Sequence, residues 1–158
     1  MQVGAVELVH GTAIALAGRA ALIRGAAGSG KSDLALRCLM QAPTTLLPHT
    51  AELVADDQVL IERDGQHLMV RAPPAIRGLL EVRGLGIVRI PAIEAGQLAL
   101  VVDLVAADKV ERLPESRRVV VAGVPVPCLE LTPFEMSAPL KLLLALQQVS
   151  SQTNHAYN

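Results

Sequence analysis

The chain has 158 residues and a mass of 16.6 kDa, the size of one domain with one sizeable core. It is 51% hydrophobic but only 1% aromatic, which excludes base-stacking recognition of single-stranded nucleic acid and leaves Ala, Leu, Val and Ile to build the core. Fourteen basic and fifteen acidic residues give a net charge of -1 without a basic block, so neither nucleic acid nor an anionic membrane is an expected partner.

The pattern predicts a strand-rich α/β chain. Residues 3–9 and 12–16 read as a pair of strands about a turn at His10-Gly11, and residues 21–24 as a short apolar strand ending at Gly25. A helix is expected over 32–40, ended before Pro43. Short strands follow at 52–54, 58–62 and 67–71, separated by the turns Asp56-Asp57 and Asp64-Gly65, and then at 86–90 and 98–104. Residues 118–121 and 124–126 read as a hairpin across Ala122-Gly123, with Arg117-Arg118 as a solvated turn before it. Ser137 caps a last helix whose buried stripe is expected at Leu140, Leu143, Leu144 and Val149, and residues 150–158 read as a frayed tail. No repeat, linker or membrane-length apolar run interrupts 1–158, and Met1 to Val9 has no positive charge of the kind a targeting segment carries. A single cytoplasmic domain is therefore expected. Cys38 and Cys128 stand apart from each other and from the histidines, and read as two buried thiols. His49, His67 and His155 read as surface residues.

The chemistry is concentrated in Gly25-Ala26-Ala27-Gly28-Ser29-Gly30-Lys31-Ser32, which matches the phosphate-binding loop G-x-x-x-x-G-K-[ST]. Glycines let the backbone curl until successive N–H groups point at phosphate oxygens, and the following helix adds its positive dipole end. Lys31 would neutralise the β- and γ-phosphates, and the Ser32 hydroxyl would ligate Mg²⁺. Four such positions arise by chance in roughly one chain in a few hundred. Here an apolar strand precedes the loop, a helix follows it, and Lys31 is one of only three lysines. Asp56 and Asp57 close the apolar segment Leu53-Val54-Ala55, where such sites carry a metal ligand or a base. Adjacent strand residues face opposite ways, so one of the two carboxylates is expected to face the phosphates. Arg77 and Arg83 either hold phosphate oxygens or pair with Glu81 and Asp residues.

With these motifs the chain resembles the catalytic domain of the bacterial HPr kinase/phosphorylase family. The resemblance rests on His10-Gly11, the loop from Gly25 to Ser32, Val54-Ala55-Asp56-Asp57, and the signature-like run from Leu79 to Ile87, in that order along the chain. It covers residues 5 to 113 well. It implies a P-loop-containing, PEP carboxykinase-like α/β core, with a helix after the phosphate loop and a C-terminal helix. It further implies an ATP- and Mg²⁺-dependent kinase that phosphorylates a serine of the phosphocarrier HPr in control of carbohydrate metabolism, and a homo-oligomer, usually a hexamer.

By the same resemblance Asp57 would accept the proton of the substrate hydroxyl, with Asp56 as its rival. Glu81 would join Ser32 on Mg²⁺, and His10, Lys31 and Arg112 would complete the catalytic group. Without the resemblance His10 would be a turn histidine. Two departures stand out. The family's N-terminal domain has no counterpart before His10. The family's arginine-rich loop, associated with phosphorolysis, is replaced by Val124-Pro125-Val126-Pro127-Cys128-Leu129-Glu130, without an arginine to clamp phosphate. Phosphorolysis is therefore expected to be weak. A metabolite kinase and a nucleotide-sensing module with little turnover are the alternative readings of the same loop.

Overall fold

The structure, a computed structural model, describes residues 4–155, the last four by their backbone alone; Val3, Tyr157 and the end of the tail read as frayed lie outside the described residues. Among the described residues nine strands form one sheet, in the order β1 (Val6–His10), β5 (Gln58–Asp64), β6 (His67–Arg71), β9 (Gly96–Leu104), β3 (Arg19–Arg24), β2 (Thr12–Leu16) and β4 (Glu52–Ala55). The hairpin of β10 (Arg117–Val121) and β11 (Val124–Leu131) joins through β11, which runs parallel to the second half of β9. The first part of β9 pairs instead with β6, so this nine-residue strand is where the sheet divides. A separate ribbon pairs β7 (Leu79–Val82) with β8 (Gly86–Arg89).

Strands 12–16, 19–24 and 96–104 are near-continuous apolar runs because both of their faces are covered. Ala13, Ala15, Ala20, Leu22 and Val101 pack to one side with Val59, Ile61, Val70 and Val126 of the flanking strands. Ile14, Ala21, Ile23, Leu100 and Val102 pack to the other, under the helices α1 (Lys31–Leu39) and α2 (Ala138–His155). The near-absence of aromatics is met by this alternation: small residues sit at the centre of the sheet and leucines come in from the helices.

Several expectations need correction. Strands β1 and β2 do not pair with each other; β1 pairs with β5, and β2 lies between β3 and β4. Gly11 is a buried crossing point rather than a free turn: its N–H donates to the Asp57 carbonyl at 3.1 Å, and a Cβ there would stand 2.9 Å from the Ile23 carbonyl oxygen. The expected stripe of α2 is rotated. Leu142, Leu143 and Leu146 are buried, whereas Leu140 and Leu144 are 41% and 40% exposed. The backbone stays helical to His155, five residues past Ser150, where the frayed tail was expected. Arg117 and Arg118 open β10 instead of forming a turn, and the β7 strand was not foreseen. No described helix is long and apolar enough to cross a membrane.

Candidate phosphate-binding site

Strand directions decide what meets at the working edge of the sheet. Strands β3 and β4 both run antiparallel to β2, and β9 runs parallel to β3, so these three end on the same side. The phosphate loop leaves β3 there, Asp56-Asp57 leaves β4, and β2 begins there just after His10-Gly11. Ligands of open α/β sheets lie outside the carboxyl ends of strands, and the motifs read from the sequence collect at such an edge.

Within the loop Gly30 caps α1 with φ +100°, a conformation that side-chain-bearing residues rarely adopt. Gly25 makes room for a close approach: a Cβ on it would lie 2.5 Å from Ser29 Oγ. The Ser29 hydroxyl is buried and has no hydrogen-bond partner among the described residues. Lys31 Nζ donates to the carbonyls of Gly25 and Ala26, both at 2.9 Å, which folds the cation over its own loop.

Asp56 is the hub. It is 5% exposed, and its Oδ1 accepts hydrogen bonds from the hydroxyls of Ser32 at 2.7 Å and Thr12 at 2.9 Å. Its Oδ2 accepts the backbone N–H of Glu81 at 3.0 Å. One carboxylate thus ties the phosphate-loop helix, the start of β2 and the β7–β8 ribbon together. Sequence reasoning missed Thr12 entirely; the available signal was a lone hydroxyl heading an otherwise apolar strand.

Asp57 differs from its neighbour in every respect. It is exposed, sits at φ +69°, and occupies the middle of a tight turn in which the Gln58 N–H donates to the Asp56 carbonyl at 2.8 Å. Both of Asp56's oxygens are engaged, and Asp57's carboxylate accepts no hydrogen bond among the described residues. His10 is exposed at the end of β1, in register with Gln58, and so borders Asp57 through the backbone. Glu81 is exposed beside the hub. Arg77 and Arg83 are exposed and form no ion pair among the described residues, so of the two readings the pairing with Glu81 or Asp residues is not seen there.

Ser32, Asp56 and Glu81 bring hydroxyl and carboxylate oxygens, the hard donors that suit Mg²⁺. Among the described residues no three His, Cys, Asp or Glu side chains gather into a metal cluster. Mg²⁺ at a phosphate loop uses one or two carboxylates and completes its shell with phosphate and water. Arg112 is not joined to this group by a hydrogen bond or ion pair among the described residues. It is exposed, and its neighbours Glu111 and Leu113 line a groove of about 960 Å³ bounded by Cys128, Ala145 and Gln148.

A second polar cluster, also unforeseen, lies just before the loop. Arg24 grips Asp103 with both ends of its guanidinium, at 2.8 and 2.9 Å, across the β3–β9 pair. Arg117 adds a 3.3 Å contact to Asp103 and pairs with Glu130. Burial pushes the Asp103 carboxyl up, but the hydrogen bonds from Arg24 and Cys128 and the two guanidinium charges outweigh it and hold the group below its ordinary value. Burial and the Asp103 charge push the Cys128 thiol up to about 11, and burial pushes Cys38 to about 12. Cys128 is only partly buried, unlike Cys38, and donates to Asp103 at 3.3 Å. His67, read as a surface residue, is exposed and shares a 2.7 Å hydrogen bond with Gln97.

A family model described as the HPr Serine kinase C-terminal domain matches residues 2–143. An HPr kinase/phosphorylase from Burkholderia lata is 37% identical over 129 residues, covering 75% of this chain and 38% of that protein. One from an Exiguobacterium species is 39% identical over 89 residues, covering 56% of this chain and 26% of that protein. The chain thus spans about a quarter to two fifths of the length of these relatives. A solved structure titled HPr(Ser) kinase/phosphatase from Coxiella burnetii superposes with a TM-score of 0.77 over 94% of this chain and 99% of that one. At 21% identity that likeness speaks for the fold, and it agrees with the strand-rich α/β core expected from the sequence.

Proposed function

The chain belongs to the HPr serine kinase C-terminal domain family, and on that footing we propose that residues 1–158 form one catalytic domain that transfers the γ-phosphoryl group of ATP to a serine of an HPr-like phosphocarrier. The observation that carries this reading is the Asp56 hub, because it joins the phosphate loop, the acidic strand end and the signature ribbon in one hydrogen-bonded unit. A nucleotide sensor needs the loop alone. The combination with an exposed carboxylate beside it is what a hydroxyl kinase requires.

The contacts support the following roles. The loop N–H groups and Lys31 bind the phosphates, and Lys31 exchanges two carbonyl contacts for them. Asp56 orients the Ser32 hydroxyl, and with both oxygens occupied it is poorly suited to take a proton. Asp57, open to solvent on a strained turn, is the acceptor for the serine hydroxyl proton, with His10 beside it. Ser32 and Glu81 would hold Mg²⁺, which supplies charge neutralisation of the phosphates when bound. Arg112 would join from the loop after β9 once a substrate is present.

Phosphorolysis is proposed to be weak. Residues 124–130 lie in the paired strand β11 without an arginine; opposite them on β10, Arg117 is committed to Glu130 and Asp103, while Arg118, in register with Pro127, is exposed. A homo-oligomer, a hexamer by resemblance, is proposed for the assembly. The test of substrate class is transfer of label from γ-labelled ATP to HPr-like proteins, compared with free serine and small alcohols. Label on a protein serine that is lost in Lys31→Ala supports the reading. Label on the small alcohols alone points to a metabolite kinase, and undiminished transfer by Lys31→Ala overturns the role of the loop.

A further inference from the structure

The connection between β11 and α2 carries an apolar side chain that neither the core nor the catalytic group accounts for. Phe134 is the only Phe, Tyr or Trp side chain among the described residues, and it is 72% exposed. Its place is specific: a Cβ on Gly30 would stand 3.1 Å from both Cε1 and Cζ of the ring. The ring edge therefore rests on the last glycine of the phosphate loop, one residue before Lys31.

The segment that holds it is anchored on both sides. Arg37 of α1 donates to the carbonyl of Pro133 and, at 3.2 Å, to that of Glu135, while its Nε pairs with Asp33 at 3.0 Å. Lys141 of α2 holds the Glu135 carboxylate at 2.6 Å. Phe134 thus projects from a mount fixed to both helices. An exposed aromatic ring mounted beside a phosphate loop offers a flat apolar face to a ligand.

We infer that Phe134 is the platform on which the base of a bound nucleoside triphosphate stacks. This rests on the nucleotide-binding reading above. A base tethered through ribose to phosphates in the loop meets no other aromatic surface among the described residues, and every nucleobase has a π-face. The platform therefore distinguishes a nucleotide from bare polyphosphate without choosing strongly among bases. The poor aromatic content of the chain thus coexists with one ring beside the phosphate loop.

The test is equilibrium binding of ATP, GTP, CTP, UTP and inorganic tripolyphosphate to the full chain and to Phe134→Ala, with MgCl₂ present. Stacking lost on alanine substitution is worth about 5- to 150-fold in affinity. All four nucleotides should weaken within that range, while tripolyphosphate changes by less than about twofold. Phe134→Trp should bind nucleotides at least as well as the unaltered chain. Because the chain has no other tryptophan, its fluorescence should respond to nucleotides and not to tripolyphosphate. Equal weakening of tripolyphosphate and ATP would mean that the ring only shapes the loop. Unchanged nucleotide binding in Phe134→Ala, with binding still lost in Lys31→Ala, would remove the platform and leave the kinase reading standing. No nucleotide binding by the unaltered, folded chain would remove both.

Discussion

Replacing Asp56 by alanine should cost the fold more than any substitution at the exposed residues of the site. Three donors lose their acceptor: the hydroxyls of Thr12 and Ser32 and the N–H of Glu81. Thr12 is fully buried and cannot turn to water, so its unmet hydroxyl costs about 1–3 kcal/mol. Ser32 and Glu81 reach solvent and cost about 0.5–1 kcal/mol each, partly offset because the carboxylate no longer has to be desolvated. The net is about 2–4 kcal/mol, which for a chain of this size lowers Tm by roughly 5–15 °C. Thr12→Val alone should cost about 1 kcal/mol, and the double variant should be about 1–2 kcal/mol better than the sum, because the stranded hydroxyl is gone. Urea unfolding followed by far-UV circular dichroism measures all four corners without a tryptophan probe. Additive costs within about 0.3 kcal/mol would refute the claim that Asp56 and Thr12 form one buried unit.

Further outcomes follow from the other contacts. Asp103 has its carboxyl held below the ordinary value of 3.8, so its stabilisation is present above that pH and is lost as pH falls through the lowered folded value. Both partners of the Arg24 pair are partly exposed, so the amount is at most about 1 kcal/mol. Asp103→Asn should flatten this part of the acid limb in a series of urea titrations. With the Cys128 thiol at about 11, thiolate at pH 8 falls to about one in a thousand, so labelling by a disulfide reagent should be about a hundred times slower than after unfolding. Rapid labelling of the native chain would contradict the burial and the Asp103 contact. Leu142→Ala should cost about 2–5 kcal/mol and Leu144→Ala under about 1 kcal/mol, and the reverse order would restore the helix face expected from the sequence.

The local features were legible because they are written in short stretches of chain. A phosphate loop needs its glycines, lysine and serine within eight residues, and strand ends announce themselves at Gly25, Asp56 and Asp64. Pairings across the sheet were not legible, since nothing near His10-Gly11 says that β1 turns to β5 instead of β2. The face of α2 was ambiguous for a different reason. In Leu140-Lys141-Leu142-Leu143-Leu144 several leucine stripes satisfy the same helical spacing, and only the packed partners choose between them. Asp56 and Asp57 were interchangeable in sequence. They separate once the turn sends one carboxylate inward to three donors and the other out at positive φ.

The most direct measurement is single-turnover transfer from ATP to an HPr-like carrier by the unaltered chain and by Asp57→Asn, with ATP affinity measured alongside. If Asp57 is the proton acceptor, transfer falls about 10²- to 10⁴-fold while ATP affinity stays within about threefold. Transfer by Asp57→Asn at the unaltered rate would contradict the assignment of the two carboxylates.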